Sequence, residues 1–106
     1  MPFELVIENR TASPLTCTAA LAHWFSDALG TVLVGGSLTV RLWHEAERGV
    51  LYRLNDAGDR MPVEAIDCAN LNARAGLDLP IRVGAIPSRE RHVCRPVAGG
   101  IACEGG

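Results

Sequence analysis

The chain has 106 residues, of which 48% are hydrophobic, and a formal net charge of −2. This length allows one domain with its own core, residues 1–106, and the hydrophobic fraction argues against disorder. All ten basic residues are arginines spread along the chain, which argues against nucleic-acid binding. The absence of lysine excludes Schiff-base, pyridoxal phosphate and P-loop chemistry, since each needs a lysine amine.

The N-terminal region shows no secretory signal, and no apolar run reaches the roughly 18 residues of a membrane span. The sequence therefore predicts a cytoplasmic protein that does not bind membranes.

Alternation of apolar and polar residues predicts strands in the first half of the chain. Phe3, Leu5 and Ile7 share one face of a strand, and residues 9–14 supply turn chemistry. Residues 15–25 alternate for longer, with a helix over residues 18–29 as the competing interpretation. The apolar face of that stretch contains Leu15, Cys17, Ala19, Leu21, His23 and Phe25. Residues 27–36 contain two short segments that end at glycines, and residues 37–44 form a further strand.

The second half continues in short strands separated by turns. Residues 45–49 turn the chain, residues 50–54 return it as a hairpin, and residues 55–59 form another turn. Residues 61–68 and 81–86 are predicted strands, with an irregular or briefly helical stretch over residues 69–78. The tail, residues 92–103, is a predicted hairpin about Gly99-Gly100. Seven or eight short strands predict an all-β domain: a small antiparallel β-sandwich, with a small barrel as the alternative.

Three stretches of the first 43 residues resemble the opening of immunoglobulin-like bacterial modules. They are an Asn-x-Thr at residues 9–11, a Pro-Leu strand start at residues 14–15, and a Gly-Gly-Ser-x-Thr-Val at residues 35–40. The resemblance implies an immunoglobulin-like sandwich. Such a fold serves adhesion, chaperone, carrier and subunit roles, so it does not by itself specify a function.

The four cysteines, Cys17, Cys68, Cys94 and Cys103, lack the C-x-x-C spacing of zinc ribbons and thioredoxin-type redox pairs. In the cytoplasm they are expected as free thiols that act as small hydrophobic residues. If they are oxidised, the natural pairs are Cys17 with Cys68 and Cys94 with Cys103. A turn at Gly99-Gly100 offsets the second pair by about two residues, which disulfide geometry permits without favouring.

A metal site is the alternative use of these side chains. His92 and Cys94 project from the same face of a strand, and Cys103 approaches from the paired strand. Together they could hold zinc or copper if His23 or His44 came close. A histidine beside an aromatic residue is more often a partly buried strand residue with its ring nitrogens hydrogen-bonded.

No G-x-S-x-G, H-E-x-x-H or G-x-G-x-x-G motif is present, which favours a protein without catalytic activity. Trp24 and Trp43 lie opposite the aliphatic stripes, where two exposed rings would form a partner surface. We therefore expect a non-catalytic interaction module or accessory subunit that binds a protein partner or itself through its sheets. The alternative is a small metal-binding or thiol-redox protein that uses His92, Cys94 and Cys103.

Overall fold

A computed structural model describes residues 1–22, 25–54 and 58–105 of the chain. The described residues form nine strands, and the prediction of an all-β fold is confirmed. Among them, no helix is long and apolar enough to cross a membrane. The strands are β1 (Pro2–Asn9), β2 (Leu15–Leu21), β3 (Phe25–Val32), β4 (Ser37–Glu45), β5 (Val50–Leu54), β6 (Arg60–Ala69), β7 (Arg74–Gly76), β8 (Arg89–Val97) and β9 (Gly100–Gly105).

The strands form one sheet in the order β3-β2-β6-β5-β4-β1-β8-β9, with β7 paired to β6. Among the described residues, β1 and β8 pair in parallel and the other pairs are antiparallel. The sheet is therefore mixed rather than purely antiparallel. A parallel pair needs a crossover connection, and here residues 10–88 lie between its two strands.

Strand β6 connects the two halves of the sheet. Its residues 60–62 pair with β5, whereas residues 63–69 pair with β2. Ala65 faces Ala20 and Val63 faces Leu21, so Glu64 is an extra residue on β6, as in a β-bulge. The sheet folds over at this point. Among the described residues, the fold-over places β3 beside β4, and β7 beside β9, without hydrogen-bonded pairing.

The core lies between the two halves of the folded sheet. Phe3, Leu5 and Ile7 are buried on the face that the alternation predicts. The apolar face of β2 is buried through Leu21, which confirms the first part of the long predicted strand. The chain then reverses, so that Phe25 begins β3 and is exposed, while His23 lies outside the described residues. Burial of each large apolar side chain contributes about 1.5–3 kcal/mol, which makes this single core the main stabilising feature.

The Asn-x-Thr stretch closes one end of the core. The fully buried Asn9 donates from Nδ2 to the carbonyl oxygens of Ser13 and Val32, both at 2.9 Å. Its Oδ1 accepts from the Thr11 backbone N–H at 2.9 Å and from Thr11 Oγ1 at 2.6 Å. One side chain therefore holds the end of β1 against the turn before β2 and against the end of β3.

Two predicted segments differ from the structure. The strand predicted over residues 81–86 is wrong: these residues form a loop, in which Val83 is exposed and Ile86 is buried. The loop packs against the β4–β5 turn, where the Gly84 backbone N–H donates to the Ala46 carbonyl at 2.8 Å. Pro80 and Pro87 bound it, and a proline cannot donate to a strand ladder. Residues 27–36, predicted as two short segments, belong mostly to one continuous strand, β3.

Candidate interaction surface

The tail hairpin brings Cys94 and Cys103 directly opposite each other. Val97 pairs with Gly100, so the turn consists of Ala98 and Gly99, one residue earlier than predicted. Gly99 has φ 81°, a left-handed conformation that glycine adopts without steric cost. Moving the turn by one residue shifts the pairing by two and removes the predicted offset. The two cysteines, with Cα atoms 3.9 Å apart, form a disulfide.

Cys17 and Cys68 form the second disulfide, between β2 and β6. They are directly paired residues whose Cα atoms lie 4.0 Å apart. All four cysteines of the chain are thus oxidised and buried. One disulfide links β2 to the strand that connects the two halves of the sheet, and the other closes the terminal hairpin.

The structure does not form the predicted metal site. The sulfur atoms of Cys94 and Cys103 bond to each other, so neither is a thiolate that could bind zinc or copper. His92 is buried and places its Nε2 3.4 Å from Glu90 Oε1. Within the described ranges, no group of three or more histidine, cysteine or acidic side chains could hold a metal ion.

His44 has a structural contact. It is buried beneath the loop at residues 81–86, and its Nε2 donates to the Arg82 carbonyl oxygen at 3.1 Å. The expectation of a hydrogen-bonded strand histidine is met for Nε2, whereas the buried Nδ1 has no hydrogen-bond partner among the described residues. His23 lies outside the described residues, so its predicted role stays a prediction.

Trp43 lies on the outer face of the sheet, but another side chain covers it. It pairs with Tyr52 on β5, and the Arg60 guanidinium carbon lies 5.7 Å from the Trp43 ring centre and 5.9 Å from that of Tyr52. Each such cation–π contact contributes about 0.5–1 kcal/mol at an exposed site. Trp43 is therefore half-buried beneath an arginine. The other predicted interface residue, Trp24, lies outside the described part of the chain.

Tyr52 also donates its hydroxyl to Glu45 Oε2 at 2.8 Å. This hydrogen bond to a carboxylate raises the pKa of Tyr52, because deprotonation would place two negative charges side by side. The side chains around Trp43 therefore contact one another, through Arg60 over the two rings and through the hydrogen bond from Tyr52 to Glu45.

A cavity with two exposed apolar side chains lies at the beginning of β3. Phe25 and Leu54 are 61% and 56% exposed, although both belong to strands. They line a cavity of about 320 Å³ together with Leu21 and Met61. The Arg53 guanidinium forms an ion pair with Asp27 at this cavity, and so connects β5 to β3.

A second cavity, of about 500 Å³, shares Arg53 with the first. Leu29, Val40 and Arg41 line it, so it lies between β3 and β4. Glu4, directly opposite Arg41 on β1, lines it as well. We call the two cavities together the β3 groove and define it by Phe25, Asp27, Leu29, Arg41, Arg53 and Leu54.

The strands that flank the β3 groove have unpaired edges. Among the described residues, β3 is at the end of the sheet and pairs only with β2, and β4 pairs with β5 only through residues 43–45. Leu29 is an extra residue on β3, since Cys17 faces Gly30 while Thr18 faces Ala28. A Cβ on Gly30 would lie 3.3 Å from Leu38, so β3 approaches β4 after this bulge. The open edge of β3 is therefore residues 25–28.

Sequence reasoning did not find the β3 groove. It placed Phe25 on a buried face, because it continued the alternation of β2 through residue 25. No local signal connects Asp27 to Arg53, which are far apart in the chain and on strands that do not pair. Leu21 pairs with Phe25, so the chain reverses direction within a few residues. The sequence gives no clear signal of this reversal.

The fold and its two disulfides define the chain as a small all-β protein. A solved structure with a similar fold is the NMR structure of a protein from Eubacterium rectale, with a TM-score of 0.52. The two sequences are 10% identical, and the alignment covers 96% of this chain and 85% of that one. No protein-family model and no curated protein matches the chain. The likeness supports the fold alone, and the immunoglobulin-like resemblance stays a prediction.

Proposed function

We propose that the chain is a non-catalytic interaction module that binds a protein partner, or another copy of itself, through the β3 groove. One observation carries this proposal: Phe25 and Leu54, both more than half exposed, flank an unpaired strand edge. Exposed apolar clusters beside an open edge are typical of surfaces that pair with another chain.

The chemistry of the groove supports binding rather than catalysis. At the cavity beside Phe25, Asp27 and Arg53 form an ion pair, and Leu54 and Met61 line the same opening together with Ser26. Partner surfaces commonly combine an apolar centre with few uncompensated charges. The surface differs from the predicted tryptophan patch, since Arg60 covers Trp43.

The two buried disulfides favour a location outside the reducing cytoplasm, because cytosolic thiol systems keep most cysteines reduced. We infer an oxidising compartment in place of the predicted cytoplasmic one. The partner would then be a protein exposed to the same compartment.

Selection of peptides from a displayed random library on the oxidised protein tests the proposal. Affinities of the selected peptides are then compared among wild type, the double variant Phe25→Ser/Leu54→Ser, and the control Leu71→Ser. Leu71 is a fully exposed leucine outside the groove. Loss of the groove's apolar contacts is expected to weaken binding at least about tenfold, while the control binds like wild type.

Light scattering over a range of concentrations tests self-association with the same three proteins. A dimer that dissociates only in the double variant would support the groove as the contact. The proposal is overturned if selected peptides and any self-association are insensitive to the double substitution, or if neither binding nor association occurs.

A further inference from the structure

We propose that one end of the sheet binds the surface of an anionic phospholipid bilayer. This end consists of the connections at residues 10–14, 33–36 and 70–73 and of the tip of the β8–β9 hairpin at residues 97–100. We call it the turn end. It is a second surface, separate from the β3 groove. The proposal replaces the sequence-based expectation that the chain does not bind membranes, which rested on the absence of a membrane-spanning run.

Contacts between the four connections place them side by side. The Asn9 carbonyl, at the end of β1, accepts from the Gly35 N–H at 2.9 Å. Asn70 Nδ2 donates to Ser13 Oγ at 3.1 Å. A Cβ on Gly100, at the hairpin tip, would lie 3.7 Å from the connection that contains Asn70. The four connections therefore form one continuous surface.

The side chains furthest from the strands at the turn end are apolar. Leu71 is fully exposed, Leu33 is 66% exposed, and Val34 and Val97 are each about half exposed. These are four of the nine large apolar side chains that are exposed in the described part of the chain. Apolar side chains that project from separate turns can enter a bilayer together, because a bilayer has no fixed shape that they must match. Their burial there contributes to binding in proportion to the apolar area removed from water.

Charged side chains lie behind the apolar ones. The four connections contain one charged residue, Arg10, and no carboxylate. Arg95 lies two residues before Val97 on β8. The carboxylates nearest to the tip on β1 and β9 are Glu8 and Glu104, which lie level with each other and about 13 Å further from the tip than Val97. This order, with apolar groups outermost and arginines next, matches the acyl chains and phosphates of a phospholipid layer.

Positive charge is in excess even when these carboxylates are counted. Arg91 Nη2 donates to Glu8 at 2.8 Å, and Arg10 lies 3.6 Å from the same carboxylate. The hydrogen bond from Arg91 lowers the pKa of Glu8, and the positive charges of Arg10 and Arg95 add to this effect. Glu104 lies on the adjacent strand. Three arginines thus lie among two carboxylates.

The other side of the turn end adds no net charge. Arg74 pairs with Asp67 at 3.2 Å. The polar side chains between the apolar tips are neutral, and they include Ser13, Asn70 and Asn72. Anionic headgroups therefore meet an excess of one positive charge, which strengthens binding about fivefold near a membrane surface.

Binding at the turn end leaves the β3 groove accessible. Leu15 pairs with Val32 at the turn end, whereas Leu21 pairs with Phe25 at the other end of β2. The six residues between Leu15 and Leu21 correspond to about 20 Å of strand. A protein partner and a bilayer could therefore be bound at the same time.

Co-sedimentation with vesicles tests the proposal. The vesicles consist of phosphatidylcholine alone or of equal parts of phosphatidylcholine and phosphatidylglycerol. Binding is compared among wild type, Leu33→Ser/Leu71→Ser and the matched control Phe25→Ser/Leu54→Ser, which also removes two exposed apolar side chains. Wild type is expected to bind the mixed vesicles more tightly. The Leu33→Ser/Leu71→Ser variant should bind them at least about tenfold more weakly, and the control should bind like wild type.

A pair of single substitutions tests the role of charge. Arg95→Gln is expected to weaken binding to the mixed vesicles about fivefold without changing binding to phosphatidylcholine. Arg41→Gln removes the same charge opposite Glu4, away from the turn end, and should change neither.

Tryptophan fluorescence tests insertion into the bilayer. The emission of Leu71→Trp should shift to shorter wavelength on mixed vesicles and be quenched by lipids that carry bromine on the acyl chains. Leu54→Trp, at the β3 groove, is the control and should show neither change. The two native tryptophans contribute equally to both variants.

The proposal is overturned if wild type binds neither kind of vesicle, binds both equally tightly, or loses binding equally in the two double variants. It is also overturned if Leu33→Ser/Leu71→Ser abolishes self-association rather than vesicle binding, which would make the turn end a contact between copies. Failure of the proposed function is a separate result, because it is measured on peptides and on Phe25→Ser/Leu54→Ser.

Discussion

Replacing both cysteines of one disulfide with alanine is expected to destabilise the protein by an amount set by the loop that the disulfide closes. Cys17 and Cys68 are 51 residues apart, whereas Cys94 and Cys103 are 9 residues apart. In the chain-entropy model a disulfide restricts the unfolded chain more when it closes a longer loop. The two double variants should therefore differ, although each removes the same atoms.

The size of each effect follows from the loop lengths. The loop term gives about 4 kcal/mol for Cys17–Cys68 and about 2.5 kcal/mol for Cys94–Cys103. Because all four cysteines are buried, truncation of the sulfurs leaves cavities of similar cost in both variants. The two variants are therefore expected to differ by about 1.5 kcal/mol in free energy of unfolding.

Urea unfolding followed by circular dichroism measures both variants against the oxidised wild type. A loss of about 4 kcal/mol is a large part of the stability of a domain of this size, so the Cys17→Ala/Cys68→Ala variant is measured in a stabilising co-solute. A thiol count on the unfolded wild type, without reductant, should detect no free thiol.

Equal losses for the two variants, or a larger loss for the tail disulfide, would refute the loop-closure reasoning. Four titratable thiols in the wild type would refute the disulfides themselves, together with the inferred oxidising compartment.

Three further predictions use four single substitutions, of which the two at glycines are compared with each other. Asn9→Ala should cost about 3 kcal/mol in urea unfolding, because it leaves buried partners of the side chain without hydrogen bonds. Gly49→Ala should cost at least about 2 kcal/mol, since its Cβ would lie 2.6 Å from the backbone of the 81–86 loop at φ +67°. Gly58→Ala, at φ +80° with open space around it, should cost only about 1 kcal/mol, and equal losses would contradict this reasoning. The hydrogen bond from Arg91 lowers the pKa of Glu8 below its ordinary value of 4.5. The pair therefore stabilises the fold above that pH and loses its effect as the pH falls through the lower folded pKa. Glu8→Gln should flatten the acid side of the curve of urea midpoint against pH, and an unchanged curve would show that the pair does not contribute.

The sequence predicted those strands in which apolar and polar residues alternate and so define one buried face. Phe3, Leu5 and Ile7 alternate with polar residues, and so do Leu38, Val40 and Leu42, which is sufficient to predict a strand with one buried face. The same rule failed over residues 81–86. Val83 is apolar there but exposed, because Pro80 and Pro87 bound a loop that packs against another turn.

The sequence did not determine which strands are neighbours or how they align. A shift of one residue in the tail turn decides whether Cys94 faces Cys103 or misses it, and the two adjacent glycines there permit either alignment. The candidate metal site depended on that alignment together with the oxidation state of the cysteines.

By itself, then, the order of residues determined the all-β class, the buried faces of the first strands and the set of cysteines available for pairing. The tertiary structure alone decided the parallel pairing of β1 with β8, the cover of Arg60 over Trp43 and the groove between β3 and β4. The physical reason is range: alternation acts between neighbouring residues, whereas the contact of Arg53 with Asp27 exists only after the sheet folds over at β6.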